Sequence, residues 1–311
     1  MAAALALLVA LSAPSFVRAD VIHVYARGET FAALAERYYG NAALEPVIVA
    51  ANFLYVQANP TLPPGVHLTI PSVQYLRANA GDTWERLAQR HLGDGRRGPY
   101  LARINGAVFT APPSAGTVLR LPYLLRYVIT AEEPLFEVAR RFYGDRAMVQ
   151  FLVEYNSLGS QRVGRGQVLI VPLHETVLRE LPEGSTDAAL IAAHSAQRTV
   201  DRELPTLERL LSRGLYVETV ALASRLAGAD PLTNTQRVAI YRCLAEAQAA
   251  LDRPDLASEA YRQVLAADPE FSLDPTHAAP KLLTAFTQAR GTAPSVLLAP
   301  APPTARPDTA H

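Results

Sequence analysis

Cysteine is almost absent from this sequence. The 311 residues include one, Cys243, so the chain can form neither an internal disulfide nor a cysteine-based zinc site. An excess of charge of one sign is also missing, because 29 Lys and Arg balance 29 Asp and Glu. Nucleic-acid binding depends on clustered cationic charge, so this balance argues against it. The seven histidines show no metal-ligand spacing, and the sequence predicts neither a metal nor a cofactor.

The sequence also lacks a hydrophobic run long enough to cross a membrane. Residues 2–11 are apolar, but a membrane-spanning helix needs about 20 such residues. Pro14 interrupts the run, and Ala19 then precedes the acidic Asp20. This pattern predicts a secretory leader over 1–19, cleaved after Ala19. We therefore expect an exported protein of the periplasm or cell envelope.

What the sequence does contain is one pattern repeated three times. When Thr30, Thr83 and Pro134 are aligned, every copy has a glycine ten residues later and an asparagine twenty-two residues later. The aligned glycines are Gly40, Gly93 and Gly144, and the aligned asparagines are Asn52, Asn105 and Asn156. Each copy closes with a strand-like run that ends in proline. The spacing predicts three modules, at 21–72, 73–123 and 126–173.

Each copy predicts the same secondary structure. A short β-branched run predicts an opening strand, and apolar residues at i, i+3, i+4 and i+7 predict a helix. Thr30 and Thr83 stand at N-cap positions, and the aligned glycines stand where a left-handed C-cap is needed. A second helix leads to the aligned asparagine, and the closing strand can pair with the opening one. The expected module is strand–helix–helix–strand.

The order Gly-Glu-Thr-Phe, Tyr-Tyr-Gly, Ala-Asn and Pro-Gly-Val-His-Leu-Thr-Ile-Pro in copy one resembles the LysM domain family, as does the Gly-Asp-Thr-Trp of copy two. Copy three has Ala131-Glu132-Glu133-Pro134 instead, so it resembles a degenerate member. The resemblance implies binding of peptidoglycan or a related N-acetylglucosamine polymer by two loops of each module. Carried over by position, the implied contacts are Gly28, Glu29, Thr30, Phe31, Asn52, Phe53 and Leu54 in copy one, and Gly81, Asp82, Thr83, Trp84, Asn105, Gly106 and Ala107 in copy two.

The same residues also have structural interpretations. Trp84 begins the apolar stripe of its helix, which favours packing in the core. Thr30 and Thr83 would cap helices, and Asp82 would complement a helix N-terminus. The aligned asparagines would close the second helices in a left-handed conformation. We therefore expect the paired loops to matter as a unit.

The C-terminal half differs in composition. It is rich in Ala, Leu, Arg and Glu, and it predicts helices at 187–200, 204–212, 216–227, 233–251, 255–267 and 279–290. The spacing of Tyr241, Ala257, Tyr261 and Pro269 resembles a tetratricopeptide repeat, which implies a protein partner; a plain helical bundle stays open as the alternative. Residues 292–311 are rich in Pro and Ala and predict a disordered tail.

These features predict an α+β protein. Three tandem βααβ LysM-like modules would precede an all-α tetratricopeptide-like helical-hairpin domain at 187–290. The expected function is non-catalytic: the modules would bind peptidoglycan, the helices would bind a protein, and no transmembrane segment would remain after leader cleavage. Two alternatives stay open, a peptidoglycan hydrolase or its accessory factor, and a structural scaffold of an envelope or secretion complex without sugar binding.

Overall fold

The computed structural model describes residues 21–54, 62–179, 188–276 and 278–291. The predicted leader and the predicted C-terminal tail lie outside the described residues. The chain is α+β, with small sheets first and a helical region after them. It divides into two compact units. Among these described residues, the first unit takes in those up to 77, with 81–113 and 118–191, and the second takes in 78–80, 114–117 and those from 192 onward.

The first unit contains three stretches with the same order of elements, which we call the first, second and third repeats. In each, a 3-10 turn separates the two helices. The first repeat has β1 (Val21–Val24), α1 (Phe31–Tyr39), α2 (Glu45–Ala51) and β2 (His67–Ile70). The second has β3 (Gln74–Arg77), α3 (Trp84–Leu92), α4 (Gly98–Ile104) and β4 (Val118–Leu121). The third has β5 (Tyr123–Val128), β6 (Glu133–Pro134), α5 (Leu135–Tyr143), α6 (Val149–Tyr155), β7 (Arg162–Val163) and β8 (Val168–Leu173).

The opening and closing strands of each repeat pair antiparallel. Val21 lies opposite Ile70 in the first repeat, and Gln74 lies opposite Leu121 in the second. In the third, β5 pairs with β8 along six residues, and the short β6 and β7 form a further pair. The strand–helix–helix–strand order is therefore present in all three stretches.

The repeated residues explain how the helices begin and end. The Thr30 hydroxyl accepts a hydrogen bond from the Ala33 amide at 3.1 Å, and the Thr83 hydroxyl accepts one from the Arg86 amide at 3.3 Å. The aligned glycines end α1, α3 and α5 with φ of 70°, 78° and 69°. A side chain with a Cβ is strained at such angles, which accounts for glycine there. The predicted caps are confirmed.

Each aligned asparagine clamps the second helix to the closing strand. The Asn52 amide nitrogen donates to the Ile48 and Thr69 carbonyls, and its amide oxygen accepts from the Thr69 N–H, all at 2.8 Å. Asn105 binds the Arg120 backbone, and Asn156 the Ile170 backbone, in the same way. The expected left-handed asparagine is wrong, since φ is −99°, −94° and −98°. The positive angle falls on the residue that follows each asparagine: Phe53, Gly106 and Ser157.

The three repeats share packed surfaces within the first unit. Val47 and Ala50 of α2 belong to the same buried cluster as the sheet and helices of the third repeat. Tyr100 of α4 packs on Phe151 of α6, with ring centroids 4.9 Å apart, and its hydroxyl donates to the Pro172 carbonyl at 3.3 Å. The third repeat therefore contacts both of the others.

Residues 174–179, which we call the return segment, run from the end of β8 back to the first repeat. The Val73 amide donates to the Thr176 carbonyl at 3.0 Å, and the Arg179 amide donates to the Tyr38 carbonyl at 2.8 Å. The Arg179 side chain covers Gly40, where an added Cβ would lie 2.1 Å from Arg179 Nε. Glycine at position 40 is therefore favoured by its φ, while the exposed end of the Arg179 side chain could move away from an added Cβ.

The second unit contains the helices α7 (Ala188–Ser212), α8 (Tyr216–Ala227), α9 (Asn234–Ala250), α10 (Pro254–Ala267) and α11 (Pro280–Gly291). The predicted break between 200 and 204 is wrong, because α7 continues through Pro205. Cys243 is fully buried on α9, and burial raises the pKa of its thiol to about 11. Across the described ranges, no helix has the length and apolarity that crossing a bilayer requires, as expected.

Candidate functional site

The first predicted loop of the first repeat is tied to its own strand. The Glu29 carboxylate accepts from the Ala26 amide at 2.7 Å and lies 2.8 Å from His23 Nε2. Hydrogen bonds from the Ala26 amide and from His23 hold the pKa of Glu29 below its usual value. Gly28 is exposed with φ 87°, whereas Phe31 is a buried member of the first repeat's core.

In the second predicted loop of that repeat, two residues stabilise the fold and one lies at the surface. Asn52 uses its amide in the clamp, and Leu54 packs against the core that contains Phe31. Phe53 has a positive φ of 57° and is 60% exposed. The structure therefore brings Phe31 and Leu54 together through the core, and leaves Phe53 as the large apolar side chain at the surface of this loop.

The predicted residues of the second repeat likewise include some that stabilise the fold and some that lie at the surface. Trp84 is 2% exposed, and its indole N–H donates to the Ala111 carbonyl at 2.7 Å, so the core-packing interpretation is confirmed. The Asp82 carboxylate lies 4.0 Å from the Arg90 guanidinium. Asn105 is buried in its clamp, while Gly81, Gly106 and Ala107 are exposed. Ligand contact at these positions stays a prediction.

A larger concave surface lies elsewhere, between the second and third repeats. This inter-repeat groove has a volume of about 980 Å³ and is bounded by α4, the end of α5, α6 and the start of the return segment. Its aromatic side chains are Tyr100, Tyr143, Phe151 and Tyr155. The rings of Tyr100 and Tyr155 meet edge to face, with centroids 5.4 Å apart. Aromatic contacts of this kind give the groove a rigid apolar floor.

Two arginines lie over this floor. The Arg97 guanidinium is 4.2 Å from the centre of the Tyr155 ring. The Arg103 guanidinium is 5.9 Å from the centre of the Tyr100 ring and 5.6 Å from that of Phe151. Cations within about 6 Å of an aromatic face are attracted to it. The groove thus presents flat rings and flat guanidinium groups together.

Three buried polar atoms in the groove have no hydrogen-bond partner among the described residues: the Tyr155 hydroxyl, His174 Nδ1 and Arg97 Nε. A buried polar group without a partner costs roughly 1–3 kcal/mol. By contrast, the hydroxyls of Tyr100 and Tyr143 both donate to the Pro172 carbonyl. These atoms lie beneath the groove surface, so a ligand can reach them only when side chains such as Arg97 shift.

The protonation of the groove follows from its burial. Burial raises the pKa of Tyr155 to about 12, against the opposing effect of Arg97, so the hydroxyl keeps its proton at neutral pH. Burial also lowers the pKa of His174 below the ordinary 6.5, although Glu175 opposes the shift. The imidazole is therefore neutral at pH 7, and one of its nitrogens can donate while the other accepts.

The acidic residues at the rim are mostly engaged. Asp94 forms an ion pair with Arg96 at 2.8 Å, and Asp145 accepts from the Ala147 amide at 2.8 Å. Glu154 accepts from the Gln150 side chain at 2.9 Å. Their presence keeps the groove from being strongly cationic, so it does not select for highly charged polyanions.

Our sequence analysis did not identify this groove. The signal for it lies five residues before each aligned asparagine, where the copies have Val47, Tyr100 and Phe151. A helix that packs only on its own repeat needs no large aromatic at a position outside the apolar stripe. The two aromatics indicated a contact between the second and third repeats. In the part of the chain that the structure describes, no group of three or more His, Cys, Asp or Glu side chains could hold a metal.

Comparison with known proteins gives two kinds of similarity. The family model described as Phage Tail Protein X matches residues 22–78. Two proteins named esterase, from Mycobacterium tuberculosis strains CDC 1551 / Oshkosh and ATCC 25618 / H37Rv, are each 33% identical over 151 residues. The match takes in 48% of this chain and 32% of each relative, so the chain spans about a third of their length. No solved structure matches the chain.

These findings correct the sequence-based identification. The first repeat matches the Phage Tail Protein X family rather than LysM, so the LysM assignment and the peptidoglycan-binding function drawn from it are wrong. The expectation of a non-catalytic protein is also corrected, because the curated relatives are named esterases. The physical reason is that the quoted motif residues serve the fold: threonine caps, left-handed glycines and asparagine clamps stabilise a βααβ repeat whatever it binds.

Proposed function

We propose that this chain acts in the hydrolysis of a carboxylic ester, and that the three-repeat part holds the ester-bearing substrate. The observation that carries the proposal is the inter-repeat groove, where an aromatic floor adjoins polar atoms without partners. Support comes from the relatives named esterase. The Phage Tail Protein X match ends at residue 78, before the groove residues begin, and so bears on another part of the chain.

An ester fits this groove better than a strongly charged ligand does. Its carbonyl oxygen accepts hydrogen bonds without carrying a charge, and the rim contains both signs of charge. A ligand acceptor that reached the Tyr155 hydroxyl or the Arg103 guanidinium would add a hydrogen bond that the free protein does not make, and such bonds contribute to affinity. Apolar parts of the ligand would cover the rings.

The experiment uses the full chain and three methyl esters: methyl butyrate, methyl cyclohexanecarboxylate and methyl 4-hydroxybenzoate. Proton NMR would follow two quantities, the saturable broadening of ester signals on binding and the release of methanol on hydrolysis. We expect saturable binding of at least one ester together with methanol release; binding without methanol release would support the holding of the ester and contradict its hydrolysis by this chain. If all three esters neither bind nor react while the protein remains folded, the proposal is wrong.

Export stays a prediction of the leader pattern at 1–19. Sequencing the N-terminus of the protein recovered from a secreting host would check it, since cleavage is expected to leave Asp20 first.

A further inference from the structure

We infer that the inter-repeat groove selects an aryl ester, in which a flat aromatic ring carries the carbonyl group. The inference rests on the proposed function and narrows it from esters in general to one class. It starts from Arg103, whose guanidinium lies over the rings of Tyr100 and Phe151. Arg103 makes no side-chain hydrogen bond or ion pair to the residues that the structure describes, and it is exposed to solvent.

The shape of the floor favours a flat ligand. Tyr100, Phe151 and Tyr155 are mutually in contact, with centroid distances of 4.9, 5.4 and 5.5 Å. Tyr100 and Tyr155 are each 7% exposed, and the half-buried Phe151 lies between the groove and the core. The exposed flat group beside these rings is the Arg103 guanidinium, which lies over Tyr100 and Phe151, and a ligand ring can stack upon it. A saturated ring of the same size lacks the flat face.

The polar atoms favour a carbonyl next to that ring. Arg103 supplies N–H donors beside the floor, and Tyr155 supplies a protonated hydroxyl that is without a partner. His174 Nδ1, also without a partner, belongs to the same groove, and the His174 ring is 6.3 Å from that of Tyr100. The Arg97 side chain covers Tyr155 and must shift for a ligand to reach the hydroxyl. Arg103, Tyr155 and His174 therefore place hydrogen-bonding groups in the same groove as the rings.

The ligand test compares methyl 4-hydroxybenzoate with methyl cyclohexanecarboxylate on the full chain. Both are methyl esters of six-membered-ring acids, and they differ in the flat aromatic face and in the 4-hydroxyl group, so methyl benzoate is included as the aryl ester without that hydroxyl. We expect the aryl ester to bind at least about tenfold more tightly, a difference of about 1.4 kcal/mol in binding free energy. Equal affinity for the two would overturn the inference and leave the proposed function standing. Failure of both to bind would overturn the inference, and the proposed function would be wrong as well if methyl butyrate also neither bound nor reacted.

The first variant test locates binding at Arg103. Arg103→Gln removes the uncommitted guanidinium, whereas Arg96→Gln removes a guanidinium of the same groove that is already committed to Asp94 at 2.8 Å. The two variants lose the same charge. We expect Arg103→Gln to weaken aryl ester binding about tenfold and Arg96→Gln to leave it within about twofold. Equal effects of the two would show that charge alone is sensed, and would overturn the inference.

The second variant test uses two tyrosine hydroxyls. Tyr155→Phe deletes a hydroxyl without a partner, so the variant should fold normally. Tyr143→Phe deletes a hydroxyl of the same groove that donates to the Pro172 carbonyl at 3.2 Å. We expect aryl ester affinity to fall about five- to tenfold in Tyr155→Phe and to stay unchanged in Tyr143→Phe. Unchanged affinity in Tyr155→Phe, with thermal unfolding as the folding control, would exclude this hydroxyl and contradict the inferred geometry.

Discussion

The first and second repeats use the same position of their second helix in opposite ways. Val47 in α2 is fully buried and joins the core of the third repeat, and the cavity beside its helix has a volume of about 360 Å³. Tyr100 in α4 occupies the equivalent position and packs on Phe151, beside a groove of about 980 Å³. The backbone pattern is shared, so we attribute the difference to side-chain size: the small apolar residue leaves the smaller cavity beside its helix, and the large aromatic pair borders the larger groove.

The largest loss of stability is expected when Tyr100 is replaced. Tyr100→Ala removes a buried ring together with its hydrogen bond to Pro172, and we expect a loss of about 3–5 kcal/mol in the free energy of unfolding of the first unit. Urea unfolding followed by the fluorescence of Trp84, the single tryptophan, would measure it. A loss below about 1 kcal/mol would mean that α4 does not depend on this contact.

A smaller effect is expected at Val47. Val47→Ala deletes two buried methyl groups, and at about 0.8 kcal/mol for each buried carbon the expected loss is roughly 2 kcal/mol. The same fluorescence assay applies, since Trp84 lies in the same compact unit. If Val47→Ala cost as much as Tyr100→Ala, side-chain size would not be what distinguishes the two contacts.

The smallest expected effect is on the pH dependence of folding stability, and it comes from His174, a polar residue of the inter-repeat groove. The pKa of His174 is lowered in the folded protein by burial, so the unfolded chain binds its proton more readily. Folding stability from the neutral imidazole is therefore present above the ordinary value of 6.5 and is lost as the pH falls towards the lowered folded pKa. His174→Gln should flatten the decline of unfolding free energy between pH 7 and 5. The decline will persist in part, because burial lowers the pKa of His91 too.

The sequence allowed the repeats to be predicted closely because their signals are local. Thr30 and Thr83 act on amides three residues away, and the aligned glycines set their own φ. The asparagine clamp was beyond such reasoning, since Asn52 reaches Thr69 across seventeen residues. The groove was harder still to predict from the sequence, because Tyr100 and His174 are brought together by packing between repeats and no single stretch of sequence contains both.

The motif that suggested a ligand also illustrates a limit of such resemblance. Phe31, Trp84 and Leu54 support the core, and Asn105 is buried in its clamp. A match at these positions reports how the chain folds. We propose that ligand choice rests instead on side chains such as Arg103 and Tyr155, whose neighbours lie in another repeat.

The return segment has a consequence for how the first unit assembles. Thr176 receives the hydrogen bond from Val73, about a hundred residues earlier in the chain, and Arg179 reaches back to Tyr38. During synthesis, the first repeat cannot form its contacts with the return segment until residue 179 has left the ribosome. A fragment that ends at residue 173 would therefore retain the strands and helices of the three repeats but lose the return segment, which joins the first repeat to the third. We expect the backbone amides of the first repeat to exchange hydrogen faster in that fragment.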